Sequence, residues 1–276
     1  MDEYGDLHHN LRYWISRLVD AAGPGSFVVY DIGANDGELT LQPARASHRV
    51  IAFEPGPAAR ERLRRRGEEI GSGAALTIIP CALGASTGEA DLQVYSDDTF
   101  SSLHHRPEKD LARYELEVTR TVRVPVVPLD ALTGVIANGE SEDPAFVDRV
   151  AQPLPPGMPP GSSLPLPPPD LVKIDVEGAE RDVLRGALGT LRTHRPAVVM
   201  EYSCVNTENA GYPRELLLEL LHEAGYDAIF GLYRNEDLRL YGGAALASCR
   251  IWNVLAIPPR FTGARSGQEI FPAVPD

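Results

Sequence analysis

The chain has 276 residues, 39 acidic against 26 basic, which gives a formal net charge of −13 at pH 7, and 43% of it is hydrophobic. That much apolar content supports a buried core and excludes disorder throughout. An acidic surface repels polyanions, so nucleic acid is excluded as the main partner.

In chain order, Leu7, Leu11, Trp14, Ile15, Leu18 and Val19 recur at helical spacing until Gly23-Pro24-Gly25 stops them. This predicts an amphipathic lead-in helix within residues 1–25, whose stripe suits packing first and a lid or homodimer face second. Short apolar runs at 27–32, 50–53, 76–79, 171–174 and 197–200 predict buried parallel strands. Helical patterns at 37–47, 57–66, 178–193 and 213–224 alternate with them, the last opening on Pro213. Alternation of this kind is the mark of a doubly wound α/β sheet. Period-two stretches at 90–94 and 122–126 flank a polar loop and predict an excursion over the active face. Residues 138–170 are rich in Pro and Gly without periodicity, nine of the prolines falling between Pro153 and Pro169. They read as an insertion within one domain of residues 26–258, because a core strand resumes at Leu171. A last strand is expected at 251–257, approached by a hairpin at 239–243, with an irregular tail over 259–276. Cys81, Cys204 and Cys249 form no C-x-x-C pair and no metal spacing, so buried thiols in a reducing compartment are expected. The acidic first residues and the absence of any run of about 18 apolar residues predict a cytoplasmic protein without a membrane segment.

Chemistry concentrates at two strand ends. In Tyr30-Asp31-Ile32-Gly33-Ala34-Asn35-Asp36-Gly37 a strand runs into a glycine turn that opens a helix, and Gly33 and Gly37 let backbone approach a ligand. Glu54, in Phe53-Glu54-Pro55 at the end of the next strand, is placed to accept both hydroxyls of a ribose. Asp31 and Asp36 would repel a pyrophosphate and favour a sulfonium with an ammonium, so S-adenosylmethionine is expected over NAD. Pro80-Cys81-Ala82-Leu83-Gly84 would meet the adenine, with Ala82 and Leu83 on the ring. At the second strand end, Asp175 and Glu177 in Lys173-Ile174-Asp175-Val176-Glu177-Gly178-Ala179-Glu180 are candidates for the reacting region, Glu180 fits a structural acid in a helical first turn, and Lys173 could pair with one of the acids. Asp175 or Glu177 is the expected base for a hydroxyl, with His104 and His105 second. Glu201 would sit beside Glu177. The three acids could hold Mg²⁺, yet acids on neighbouring strand ends more often bind donor or substrate, and no metal is expected. The arginine run at 60–66, interleaved with Glu61, reads as a solvated helix face.

Asp-Ile-Gly-Ala-Asn-x-Gly, Phe-Glu-Pro, Ala-Leu-Gly, Ser-Ser-Leu at 101–103, Pro-Leu-Asp-Ala-Leu at 128–132 and Lys-Ile-Asp-Val-Glu-Gly-Ala-Glu, in this order, resemble the FkbM family of S-adenosylmethionine-dependent methyltransferases. The resemblance implies a class I methyltransferase fold, Rossmann-like, with a mostly parallel seven-stranded sheet. It also implies O-methylation of a hydroxyl on a small secondary-metabolite, polyketide or sugar-type substrate. The cofactor residues would then be Asp31, Gly33, Ala34, Asn35, Gly37, Glu54, Pro55, Ala82 and Leu83. The rival readings are an NAD-dependent oxidoreductase, for which no Tyr-x-x-x-Lys pair is found, and a non-catalytic partner-binding protein that uses the Pro-rich insertion.

Overall fold

The computed structural model describes residues 9–22, 27–39, 41, 48–69, 76–135, 165–233 and 240–259. Among them, ten strands are β1 (Val28–Ile32), β2 (Arg49–Phe53), β3 (Leu76–Ile79), β4 (Ala82–Leu83), β5 (Gly88–Tyr95), β6 (Val118–Val127), β7 (Leu171–Ile174), β8 (Ala197–Glu201), β9 (Ala228–Tyr233) and β10 (Ile251–Ile257). The described helices are α1 (His9–Ala22), α2 (Pro57–Glu69), α3 (Glu108–Arg113), α4 (Leu129–Thr133), α5 (Glu180–Arg185), α6 (Leu188–His194), α7 (Cys204–Asn209) and α8 (Glu215–Glu223).

Seven strands form one sheet in the order β3-β2-β1-β7-β8-β10-β9. β10 runs antiparallel to both its neighbours, β8 and β9, and the other pairings in this sheet are parallel. The strands read as nearly continuous apolar runs because both faces are covered. Tyr30, Ile32, Phe53, Ile174 and Met200 pack on one side with Val183, Leu191 and Leu217 from α5, α6 and α8. Val29, Ala52, Leu171 and Val199 pack on the other with Trp14, Ile15 and Leu18 of α1 and Leu63 of α2. The stripe of α1 is therefore spent on the sheet. This is the expected doubly wound, mostly parallel seven-stranded α/β sheet. Strand order reverses between β1 and β7, which opens a crevice at their carboxyl ends. A second sheet, β4-β6-β5, forms the expected excursion as an arm across that crevice.

Several local expectations are corrected. Helix 178–193 is two helices, because Gly186 packs so tightly on the backbone of Gly84 that a Cβ would stand 1.9 Å from its carbonyl oxygen. Pro213 lies ahead of α8, whose cap is Arg214. Ala82 and Leu83 pair with Val126 and Val127 as a short strand instead of a loop. β9 had no counterpart among the expected runs. Of the hairpin at 239–243, Tyr241 bridges Gly231. The helix at 37–47 falls mostly outside the described residues, as do residues 138–164 of the insertion and 260–276 of the tail.

The cysteine reading is overturned for two of the three. Cys204 and Cys249, 45 residues apart, form a disulfide with Cα atoms 5.9 Å apart, while Cys81 is a buried free thiol. The antiparallel pairing of β8 and β10 brings the two together, a proximity that cysteine spacing does not show. No helix among the described residues is long and apolar enough to cross a membrane.

Candidate active site

At the reversal point the two motif turns press on each other. Gly33 takes φ 75°, and a Cβ there would stand 1.9 Å from the Asp175 carbonyl oxygen. Its glycine thus serves the approach of the β7 end to the β1 turn. Gly37 takes φ 80°, and a Cβ there would stand 2.3 Å from Leu63 Cδ1, so it is a packing glycine. Beneath the turns lies Lys173, whose ammonium donates to the Gly33 carbonyl at 2.7 Å and pairs with Asp31 at 3.1 Å and Asp175 at 3.5 Å. Burial pushes the Asp31 carboxyl up against the pull of Lys173. Burial would lower Lys173, but Asp31 and Asp175 outweigh it and hold the ammonium above its ordinary range.

The arginine run meets this turn as well. Arg66 pairs with Asp36 at 2.7 Å. Arg62 donates to Asn35 Oδ1 at 2.9 Å and to Asp98 of the arm at 2.6 Å. Arg60 donates to the carbonyls of Glu54 and Pro55. Arg64 and Arg65, paired with Glu61 and Glu68, and the exposed Arg66 fit the solvated face, whereas Arg60 and Arg62 turn toward the site. Asp31 and Asp36 are therefore both neutralised by this chain, which weakens the case for a cationic ligand drawn from their charge.

Two cavities meet at these strand ends. The first, of about 80 Å³, is lined by Gly33, Asn35, Glu54, Pro55, Ala82 and Leu83, with Leu92, Thr99 and Ser102 of the arm opposite. Glu54 is buried in its wall, accepting the N–H of Asn35 and of Gly56 at 2.7 Å each. Burial raises its carboxyl, and those two N–H groups oppose the rise. The second cavity, of about 380 Å³, is lined by Asp31, Ala34, Phe100, Tyr114, Glu201 and Trp252, among others. Gly33, Asn35, Asp175 and Glu177 line both.

Glu177 holds a left-handed backbone, φ 56°, a conformation that costs a non-glycine residue of order 1 kcal/mol and persists only where neighbours fix it. Ser102 Oγ donates to its carbonyl at 2.7 Å. The Glu180 carboxylate accepts the N–H groups of Val176 and Gly178 on either side, so Glu180 is the structural acid of the turn. Thus constrained, the Glu177 side chain pairs with the buried Arg106 and accepts from Asn206 Nδ2 at 2.9 Å. The same Asn206 amide donates to both Glu201 oxygens at 2.9 and 3.0 Å. Burial, outweighing Arg106, pushes the Glu177 carboxyl up to about 8. Glu201 is held well above the ordinary range by burial and by Glu177 and Asp175 beside it. Oxygens of Asp175, Glu177 and Glu201 lie within 4.8 Å of one another, near enough for one cation to bridge. Arg106 and Asn206 already engage two of the three.

Of the residues expected here, Asp31, Gly33, Ala34, Asn35, Glu54, Pro55, Ala82, Leu83, Asp175 and Glu177 line one cavity or both. His104 lines neither; burial lowers its imidazole, and Asp182 and Arg181 of α5 are the charges near it. Arg62, Arg106 and Asn206 went unread. The arginine run contained the signal for Arg62, since its spacing on α2 brings it beside the turn, whereas nothing in the sequence pairs Arg106 or Asn206 with Glu177.

The methyltransferase FkbM domain model matches residues 31–147 and 165–228, more than half of the chain, and skips most of the Pro-rich segment. Among curated proteins none matches. The chain is similar to a solved methyltransferase FkbM from Methylobacillus flagellatus KT, at 16% identity and TM-score 0.46, over 84% of this chain and 43% of that one, so it spans less than half of that protein's length. It is also similar to the O-methyltransferase TomG from Streptomyces achromogenes (13%, TM-score 0.41, 91% and 79% covered). A third likeness is to magnesium protoporphyrin IX methyltransferase from Synechocystis PCC 6803 (10%, TM-score 0.44, 93% and 85% covered). With both motif turns inside the matched residues and joined at one crevice, the chain belongs to the FkbM methyltransferase family.

Proposed function

We propose that the chain binds S-adenosylmethionine in the first cavity and transfers its methyl group to a hydroxyl of a small secondary-metabolite, polyketide or sugar-type molecule held in the second. The observation that carries this reading is the meeting of the two cavities at Gly33, Asn35, Asp175 and Glu177. Glu54 fits a ribose: each of its oxygens has taken one N–H and keeps a lone pair. Ala82 and Leu83 offer an apolar wall for a base, and Gly33, Asn35 and Pro55 complete the set; Asp31 and Ala34 line only the second cavity, and Gly37 shapes the turn by packing on Leu63. Bound there, the cofactor supplies an electrophilic methyl group on a sulfonium. The chain's own part is to align the acceptor, where orientation at about 3–3.5 Å removes much of the barrier, and to take the hydroxyl proton. Asp175 or Glu177, both fronting the two cavities, is assigned that proton; His104 is assigned no step.

Lead-in helix 1–25, methyltransferase domain 26–258, its insertion at 138–170 and a tail at 259–276 remain the division we propose. The cytoplasmic placement is not carried further, since Cys204–Cys249 favours an oxidising compartment. Calorimetry with S-adenosylhomocysteine tests the reading. Saturable one-to-one binding is expected, with none for NAD; a folded sample that takes up no S-adenosylhomocysteine at millimolar concentration would sink it.

A further inference from the structure

Asn206 joins groups that would otherwise repel. Its Nδ2 donates to Glu177 Oε2 and to both Glu201 oxygens, and its Oδ1 accepts from Arg106 Nη1 at 3.3 Å. One amide, with two donor hydrogens and an acceptor, is thereby fully used. The side chain is buried, 7% exposed, on the six-residue α7, whose N-terminus is capped by Ser203 Oγ accepting the Asn206 N–H at 3.2 Å. So short a helix has little stability of its own. Its first residue, Cys204, is bonded to Cys249 in the turn that leads into β10. Cys249 is exposed and Cys204 half-buried, and both line an open surface groove of about 430 Å³, so a small dithiol reaches the bond.

We infer that Asn206 is a positioning residue for the Glu177–Glu201 pair, and that the Cys204–Cys249 disulfide fixes it there, so that reduction loosens the acceptor side of the site. The inference rests on the reading of these carboxylates as that side. In the step, a dithiol delivers two electrons and two protons to the S–S bond; the bond breaks into two thiols as the reductant closes to its own disulfide. α7 then keeps its cap, the hydrogen bonds of Asn206 itself and the one that Asn209 Nδ2 donates to Asp110, but loses its covalent tie to β10.

The test is carboxyl labelling of the full chain with a water-soluble carbodiimide and glycine ethyl ester, mapped by peptide mass spectrometry before and after dithiothreitol. The same labelling is run on Asn206→Asp, which keeps the volume but removes the donors. Several-fold higher labelling of Glu177 and Glu201 is expected in both cases, with buried Glu180 still protected and exposed Glu61 unchanged. Unchanged labelling in Asn206→Asp overturns the positioning role, and a rise there without a rise on reduction overturns the role of the disulfide. A rise that includes Glu180 means general loosening and overturns both. S-adenosylhomocysteine binding, measured in parallel on the oxidised protein, separates the outcomes: its absence removes the functional reading, while the labelling still decides what Asn206 does.

Discussion

Glu54 and Glu177 show how single carboxylates were legible by position and illegible by partner. Each stands where the motif puts it, at a strand end, but the sequence names none of the N–H groups on Glu54 and neither Arg106 nor Asn206 on Glu177. Those partners come from turns and from the arm, and their approach depends on tertiary packing. Because Glu54 bonds two turn amides as well as facing the first cavity, Glu54→Gln should weaken S-adenosylhomocysteine binding by about tenfold or more, the value of one hydrogen bond to a charged group. Equal affinities by calorimetry would move the ribose elsewhere. Glu177 predicts a pH dependence of stability. Its folded carboxyl is raised to about 8 against an ordinary 4.5, so the folded state holds this proton more tightly than the unfolded chain. The contribution is greatest below pH 4.5 and is lost as pH rises toward 8. Urea denaturation across that window should fall more steeply in the wild type than in Glu177→Gln, by up to about 1.4 kcal/mol per pH unit. Parallel slopes would mean that Glu177 is ionised throughout.

Elements with strong periodicity were legible: the parallel strands, α1 and the period-two strands of the arm. What escaped has local physical causes. Helix 178–193 breaks because Gly186 must meet Gly84 across the fold, and α7 is too short to show a period. β9, Ala-Ile-Phe-Gly-Leu-Tyr, carries a glycine in mid-strand because Ile251 and Leu246 crowd that position. The arm is held by Arg62–Asp98 at one point and Arg106–Glu177 at another. At this scale the disulfide makes the sharpest prediction. Closing a chain segment of 45 residues restricts the unfolded state by roughly 4 kcal/mol in the loop-entropy account. Cys204→Ser should lose most of that in chemical denaturation, and a loss under about 1 kcal/mol would contradict the bond.

For the whole molecule, the Pro-rich insertion is rooted away from the chemistry. Its described ends meet at Gly134 and Pro165, where a Cβ on the glycine would stand 3.0 Å from the proline, and Leu166 donates to the Leu132 carbonyl at 2.8 Å. Both roots lie at the amino end of β7, opposite the crevice. Replacing residues 138–164 by a short Gly/Ser linker should therefore change stability by under about 1 kcal/mol, or roughly 2–4 °C in Tm, and leave S-adenosylhomocysteine binding intact; loss of binding would assign the segment to the site. At the other end of the strands Asp31, Asp36 and Glu177 are each matched by a base, so these three add nothing to the net acid excess. The most direct test of the account is a crystal structure with S-adenosylhomocysteine. The account predicts the ribose at Glu54, the adenine against Ala82 and Leu83, and the sulfur facing Asp175 and Glu177; a nucleoside bound outside the crevice between β1 and β7 would contradict it.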